Sequence, residues 1–212
     1  MARKALEKRS YNFEISTGVR EDGTRELTGR PIVYNSRTNI GPFDEIIDPG
    51  ALDGTDLTDV RFLVNHDLSR IPLARSRRNN GNSTMQLTPD SEGLSLDWVR
   101  LDIENNADAR ALYSAVERGD VTGMSFAFSV DGEKWDDLNS GHPTRHITRI
   151  ESVVEVSACT FPAYTSAGIY ARSNEALENA KAVLERAREL RAKSPEGDLE
   201  LEKAKLEFIS KL

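Results

Sequence analysis

The sequence predicts an α+β fold that is mainly β: a closed or semi-closed, mostly antiparallel β-barrel with one inserted helix, plus a C-terminal helical tail. Three observations carry this. Short runs of alternating apolar residues, separated by Gly- and Pro-bearing turns, fill residues 1–173. One segment among them, residues 105–120, switches to helical spacing. After residue 173 the period becomes three and four residues amid dense mixed charge, which marks residues 174–212 as a second unit.

The β-like runs read, in order, YNFEI, RPIVYN, FDEIID, VRFLVNH, TMQLT, GLSLDWVRL, GMSFAFSV and HITRIESVVEVSACTF. Their punctuation is TGRP, DPGALDG, RNNGNS and TPDSEG. Within NNADARALYSAVERGD, Ala109, Leu112, Tyr113 and Val116 share a helical face, and Gly119 stands where a C-terminal cap belongs. This helix feeds into GDVTGMSFAFSV, whose Val121, Met124, Phe126, Phe128 and Val130 read as the buried side of a strand. The opposite side carries only small residues, Ser125, Ala127 and Ser129. In the tail, Leu177, Ala180, Leu184, Ala187 and Leu190 form a narrow apolar seam, and DLELEKAKLEFISKL offers a second short helix. The seam suits either a partner helix or docking onto the chain's own β region.

Bulk properties narrow the function classes. The chain has 212 residues, 38% hydrophobic and 30% charged, with a net charge of −7. No basic stripe stands out, and the densest basic spot is Arg75, Arg77 and Arg78, so nucleic acid is not the expected partner. The single cysteine, Cys159, rules out an internal disulfide and fits a reducing compartment. The start MARKALEKRSYNFE lacks the apolar run of a signal peptide, and no stretch approaches the ~18–20 apolar residues of a membrane span. A cytoplasmic protein without a membrane partner is the expectation.

Three histidines can be weighed for chemistry. His66 closes VRFLVNHD, where Phe62, Val64 and His66 alternate onto one face with Leu63 and Asn65 opposite. His142 and His146 have a spacing that suits metal ligands on a helix, but Pro143 opposes a helix there and no further ligand pattern completes a site. No metal and no cofactor is expected. In ESVVEVSACTFPAY, Val154, Val156 and Ala158 face one way and Glu155, Ser157 and Cys159 the other. A carboxylate flanked by valines needs a partner, which could be Arg149, Arg172 or a histidine. A serine, a histidine and a carboxylate on strands beside one core could form a nucleophile, a base and an orienting group, although spacing alone does not establish this.

Four blocks in one order, FDEIIDPGAL, DVRFLVNHDLSRIPLAR, GMSFAFSV and VVEVSACTFPAY, resemble the prohead proteases of tailed bacteriophages. That family is related in fold to the herpesvirus capsid-maturation proteases. The resemblance covers roughly residues 11–172. It implies a serine endopeptidase in which His66 of the NHD element is the base, Ser125 the nucleophile and Glu155 the acid. Herpesvirus relatives place a histidine where this chain has Glu155, and PLAR, with Ala74, departs from the Gly-Arg often found after the histidine loop. Backbone amides of Ala163 and Tyr164 in TFPAY are the oxyanion candidates, since Pro162 has no N–H to donate. On this resemblance Ala127 and Ser129 stay small so that an extended substrate can lie beside the Ser125 strand.

The resemblance also implies the setting: capsid and scaffold proteins as substrates inside an immature shell in the host cytoplasm, with self-cleavage and self-association. A docking tail over residues 174–212 would supply effective concentration there. Two other classes compete: a silent capsid-assembly module on the same fold, and a different serine hydrolase. Retention of Ser125, His66 and Glu155 together counts against the first. The absence of a G-x-S-x-G elbow counts against the second.

Overall fold

The computed structural model describes residues 6–11, 15–78, 80, 82–160 and 174–193. The chain order is β1 (Glu7–Tyr11), β2 (Ile15–Val19), β3 (Arg25–Val33), β4 (Thr38–Asn39), β5 (Asp44–Ile47), β6 (Arg61–Val64), β7 (Ala74–Arg75), β8 (Met85–Asp90) and β9 (Gly93–Leu101). There follow α1 (Ala107–Glu117), β10 (Gly123–Asp136), β11 (Thr144–Cys159) and α2 (Asn174–Ala192). The protein is mainly β with two described helices, an α+β fold.

Two sheets carry the strands. One runs β1-β10-β11-β5-β4, with β6 also paired to β11 and β7 paired to β6; the other runs β2-β3-β9-β8. No closed barrel is found among the described residues, because each sheet keeps edge strands: β1, β4 and β7 in the first, β2 and β8 in the second. The antiparallel expectation holds for most pairs but fails at β11. Its edge away from β10 is shared by β5 and β6, and both run parallel to it.

Sequence alternation builds the core between the sheets. Leu27, Ile32, Met85, Leu87, Leu94, Leu96 and Val99 from one sheet meet Phe62, Met124, Phe126, Phe128 and Val156 from the other in a single apolar cluster. The four residues expected on the inner face of α1 are the four it buries. Asn106 caps its start by accepting from the Asp108 and Ala109 amides. At its end the Gly119 amide bonds to Val116 O at 3.0 Å and the Asp120 amide to Ala115 O at 2.8 Å. Gly119 takes the positive φ of 78° that this C-terminal motif requires.

Some local expectations need correction. Of YNFEI, Tyr11 closes β1 and Ile15 opens β2, while residues 12–14 lie outside the described residues. Val121 is buried but precedes β10. The tail seam is docked: Ala180, Leu184 and Ala187 pack with Ile40, Phe43 and Leu138, while Leu190 stays 59% exposed. Arg188 donates to the carbonyls of Leu138 and Ser140, tying α2 to the loop after β10. The second tail helix lies outside the described residues. No described helix is long and apolar enough to cross a membrane.

Candidate active site

Strand β10 supplies Ser125 from its small-residue side. Alternation turns Met124, Phe126 and Phe128 into the core, so Ser125, Ala127 and Ser129 project to the other side. That side is not bare. Ser125 and Ala127 are both 0% exposed.

His66 does not sit on a strand as its alternation suggested. β6 stops at Val64, and Asn65 and His66 adopt positive φ of 52° and 58° in a tight turn closed by the Asp67 amide on Val64 O. Non-glycine residues pay for such geometry, and two contacts hold it here. The Asn65 amide donates to Ala158 O at 3.0 Å, and Asn65 Oδ1 accepts from the Thr160 amide at 3.0 Å. The turn aims the imidazole across the sheet instead of along a strand face.

Glu155 lies on β11 opposite Ala127 and two residues from Ser157, which pairs with Ser125. His66 bridges the two strands: Nδ1 is 2.5 Å from Glu155 Oε1 and Nε2 is 2.5 Å from Ser125 Oγ. As a carboxylate, Glu155 accepts, so Nδ1 carries the proton of that bond and Nε2 is free to accept from a hydroxyl. Glu155 is 2% exposed, and its second oxygen is also engaged, by Ser157 Oγ at 2.5 Å. The same Ser157 Oγ accepts the His66 backbone amide at 3.1 Å. Sequence reasoning missed this role for Ser157; its only signal was the shared parity with Glu155.

The competing partners are committed elsewhere. Arg149 pairs with Asp131, and Arg172 lies outside the described residues. Asp67 Oδ1 accepts from the amide and hydroxyl of Ser69 and does not reach the imidazole. His146 bonds Asp48 through Nδ1 at 2.8 Å, near the far end of β11. His142 Nε2 bonds Asp44 at 2.9 Å; burial pushes the Asp44 carboxyl up, but His142 and Arg37 outweigh it and hold it below the ordinary range. Among the described residues no cluster of three or more His, Cys, Asp or Glu could hold a metal ion. The oxyanion candidates Ala163 and Tyr164 lie outside the described residues.

The edge of β10 beside Ser125, expected to await an extended substrate, is taken by the chain's own β1. The pairing is antiparallel, with Arg9 opposite Phe126 and Ser10 opposite Ser125. Ser125 Oγ lies 2.6 Å from Arg9 O. A hydroxyl has one proton, so it serves either this carbonyl or His66 Nε2 at any moment. A cavity of about 380 Å³ flanks the histidine turn, lined by Val64, Asn65, Ile71, Leu112 and Thr160 among others.

Comparison with known proteins gives the chain a family. The profile of a family described as caudovirus prohead serine protease matches residues 11–182. A prohead protease of Enterobacteria phage HK97 is 30% identical over 159 residues, covering 73% of this chain and 62% of that protein. The chain thus spans about three fifths of that relative's length. No solved structure matches. The chain belongs to the caudovirus prohead serine protease family.

Proposed function

We propose that the protein is a serine endopeptidase of phage capsid maturation, with Ser125 as nucleophile, His66 as general base and acid, and Glu155 as the group that orients His66. One observation carries this: His66 contacts Ser125 Oγ through Nε2 and Glu155 through Nδ1, both at 2.5 Å. Ser125 Oγ attacks the scissile carbonyl as His66 Nε2 takes its proton. The tetrahedral adduct collapses as the imidazolium returns that proton to the leaving amine. Water then hydrolyses the ester by the same relay, releasing a carboxylate and restoring Ser125. Glu155 fixes the Nδ1–H tautomer and stabilises the transient imidazolium. Backbone amides after β11, with Ala163 and Tyr164 as candidates, would receive the oxyanion.

The substrates proposed are capsid and scaffold segments within the immature shell, with the chain's own segments among them. The test is incubation of the purified chain, and of its Ser125→Ala variant, with the phage's own capsid protein. Defined fragments should appear only with the parent chain. Persistence of intact capsid protein alongside unreacted fluorophosphonate would overturn the assignment.

A further inference from the structure

β1 brings two ionisable side chains into the interior, and what they meet there has the form of a recognition site. The Arg9 guanidinium is bound by Glu45 through two contacts, Nε to Oε1 at 2.5 Å and Nη2 to Oε2 at 2.7 Å. Glu45 is 0% exposed and Arg9 7%. The stem of the site is aromatic, with the guanidinium 5.7 Å from the Phe128 ring centre. Two residues earlier, Glu7 is held by Arg145, whose Nη1 and Nη2 lie 2.6 and 2.9 Å from its two oxygens. Arg145 is 2% exposed and also bonds Glu45 and Glu133. The body therefore presents a buried acid and a buried base, two residues apart along an added strand, and β1 answers with the opposite charges. Such paired, desolvated contacts discriminate, because a neutral occupant in place of Arg9 removes both guanidinium contacts to the buried Glu45 carboxylate and leaves it with the longer Arg145 contact of 3.0 Å.

The residue in the Glu45 pocket is also the one whose carbonyl oxygen lies 2.6 Å from Ser125 Oγ. We propose that Glu45 and Arg145 set the cleavage specificity, selecting Glu-x-Arg in an extended segment added to β10, and that the chain's own Arg9–Ser10 bond is such a site. This rests on Ser125 being the nucleophile. In the structure the Ser125 hydroxyl is hydrogen-bonded to the Arg9 carbonyl oxygen; turning that peptide plane exposes the carbonyl carbon to Oγ instead. Attack forms the Oγ–C bond as His66 takes the hydroxyl proton. The Arg9 C–N bond then breaks, with the proton passing to the Ser10 amine, and water hydrolyses the Arg9 ester to a carboxylate. The products are residues 1–9 and a chain that starts at Ser10, with the groove vacated for other segments.

The experiment follows intact mass and peptide turnover in the full chain. Incubation should release residues 1–9 and yield a new N-terminal Ser10, and Ser125→Ala should stay whole. A peptide containing Glu-Lys-Arg-Ser should be cut after Arg, with kcat/KM falling ~10²-fold or more when Arg becomes citrulline. Glu45→Gln should flatten that preference while fluorophosphonate still labels Ser125. The peptide comparison uses the unaltered chain, so it decides even if Glu45→Gln does not fold. Labelling with cleavage at non-basic positions, or equal turnover of the Arg and citrulline peptides, would overturn the specificity and leave the nucleophile standing. Neither labelling nor cleavage would overturn both.

Discussion

Ser157 Oγ donates to Glu155 Oε2 at 2.5 Å while accepting the amide of His66 at 3.1 Å. One fully buried hydroxyl thus registers the Glu155 carboxylate against the backbone of His66. Ser157→Ala should lower kcat about 10–100-fold, the equivalent of losing one hydrogen bond to a charged group of about 1.5–3 kcal/mol. KM should change little, since Ser157 is 0% exposed and its hydroxyl is spent on Glu155 and the His66 amide. A kcat within twofold of the parent, in a variant with unchanged melting, would remove Ser157 from the positioning role.

Ser125→Ala deletes one buried hydroxyl from a small-residue face. Peptide cleavage should fall by roughly 10³-fold or more with the circular dichroism unchanged. His66→Ala should be damaged to a similar degree, and the double variant scarcely worse, because nucleophile and base act as one unit. Losses that multiply would indicate separate roles.

Glu155→Gln keeps shape but offers an amide where Nδ1–H requires an acceptor, so some imidazole is held in the wrong tautomer. Single-turnover cleavage should slow by roughly 10²–10⁴-fold. Asp67→Asn and His146→Ala should cost far less, since Asp67 is spent on Ser69 and His146 on Asp48. An inactive His146→Ala beside a normal Glu155→Gln would reverse the assignment.

The docking of β1 should depend on acid. Burial pushes the Glu7 carboxyl up, but the Arg9 and Arg145 guanidiniums outweigh this and hold it below its ordinary 4.5. A carboxyl depressed in the folded state stabilises fully at pH above its unfolded value and loses that contribution as pH falls through the folded one. Docking should therefore be constant from neutrality to about pH 4.5 and weaken below. Hydrogen exchange at Glu7–Tyr11 in the Ser125→Ala chain would register this, and Glu7→Gln should abolish the dependence.

Much of this site was legible because it rests on short-range pattern. The parity of GMSFAFSV separates Phe126 from Ser125, and the spacing in residues 105–120 gives α1 its buried face. What was not legible depends on interruptions and on distant pairings. Along β11, Val154, Glu151 and Thr148 are skipped in the pairing with β10, so counting odd and even positions from His146 to Glu155 loses its meaning. The positive φ of His66 belongs to a two-residue turn that overrides the strand alternation of VRFLVNH. The occupation of the β10 edge by Glu7–Tyr11 joins segments more than a hundred residues apart, which no local pattern encodes.

Those separations have a consequence for synthesis. Ser125 and His66 are 59 residues apart, His66 and Glu155 89, and Arg9 and Ser125 116. No partial product of translation shorter than residue 155 can hold all three side chains together. Pairing so remote in the chain also forms slowly, after local helices and hairpins. Assembly of the proposed site is thereby postponed until the β region is essentially whole, and a ribosome-bound chain ending before Glu155 should ignore a fluorophosphonate probe. The timing by which the proposed site assembles is written into its topology.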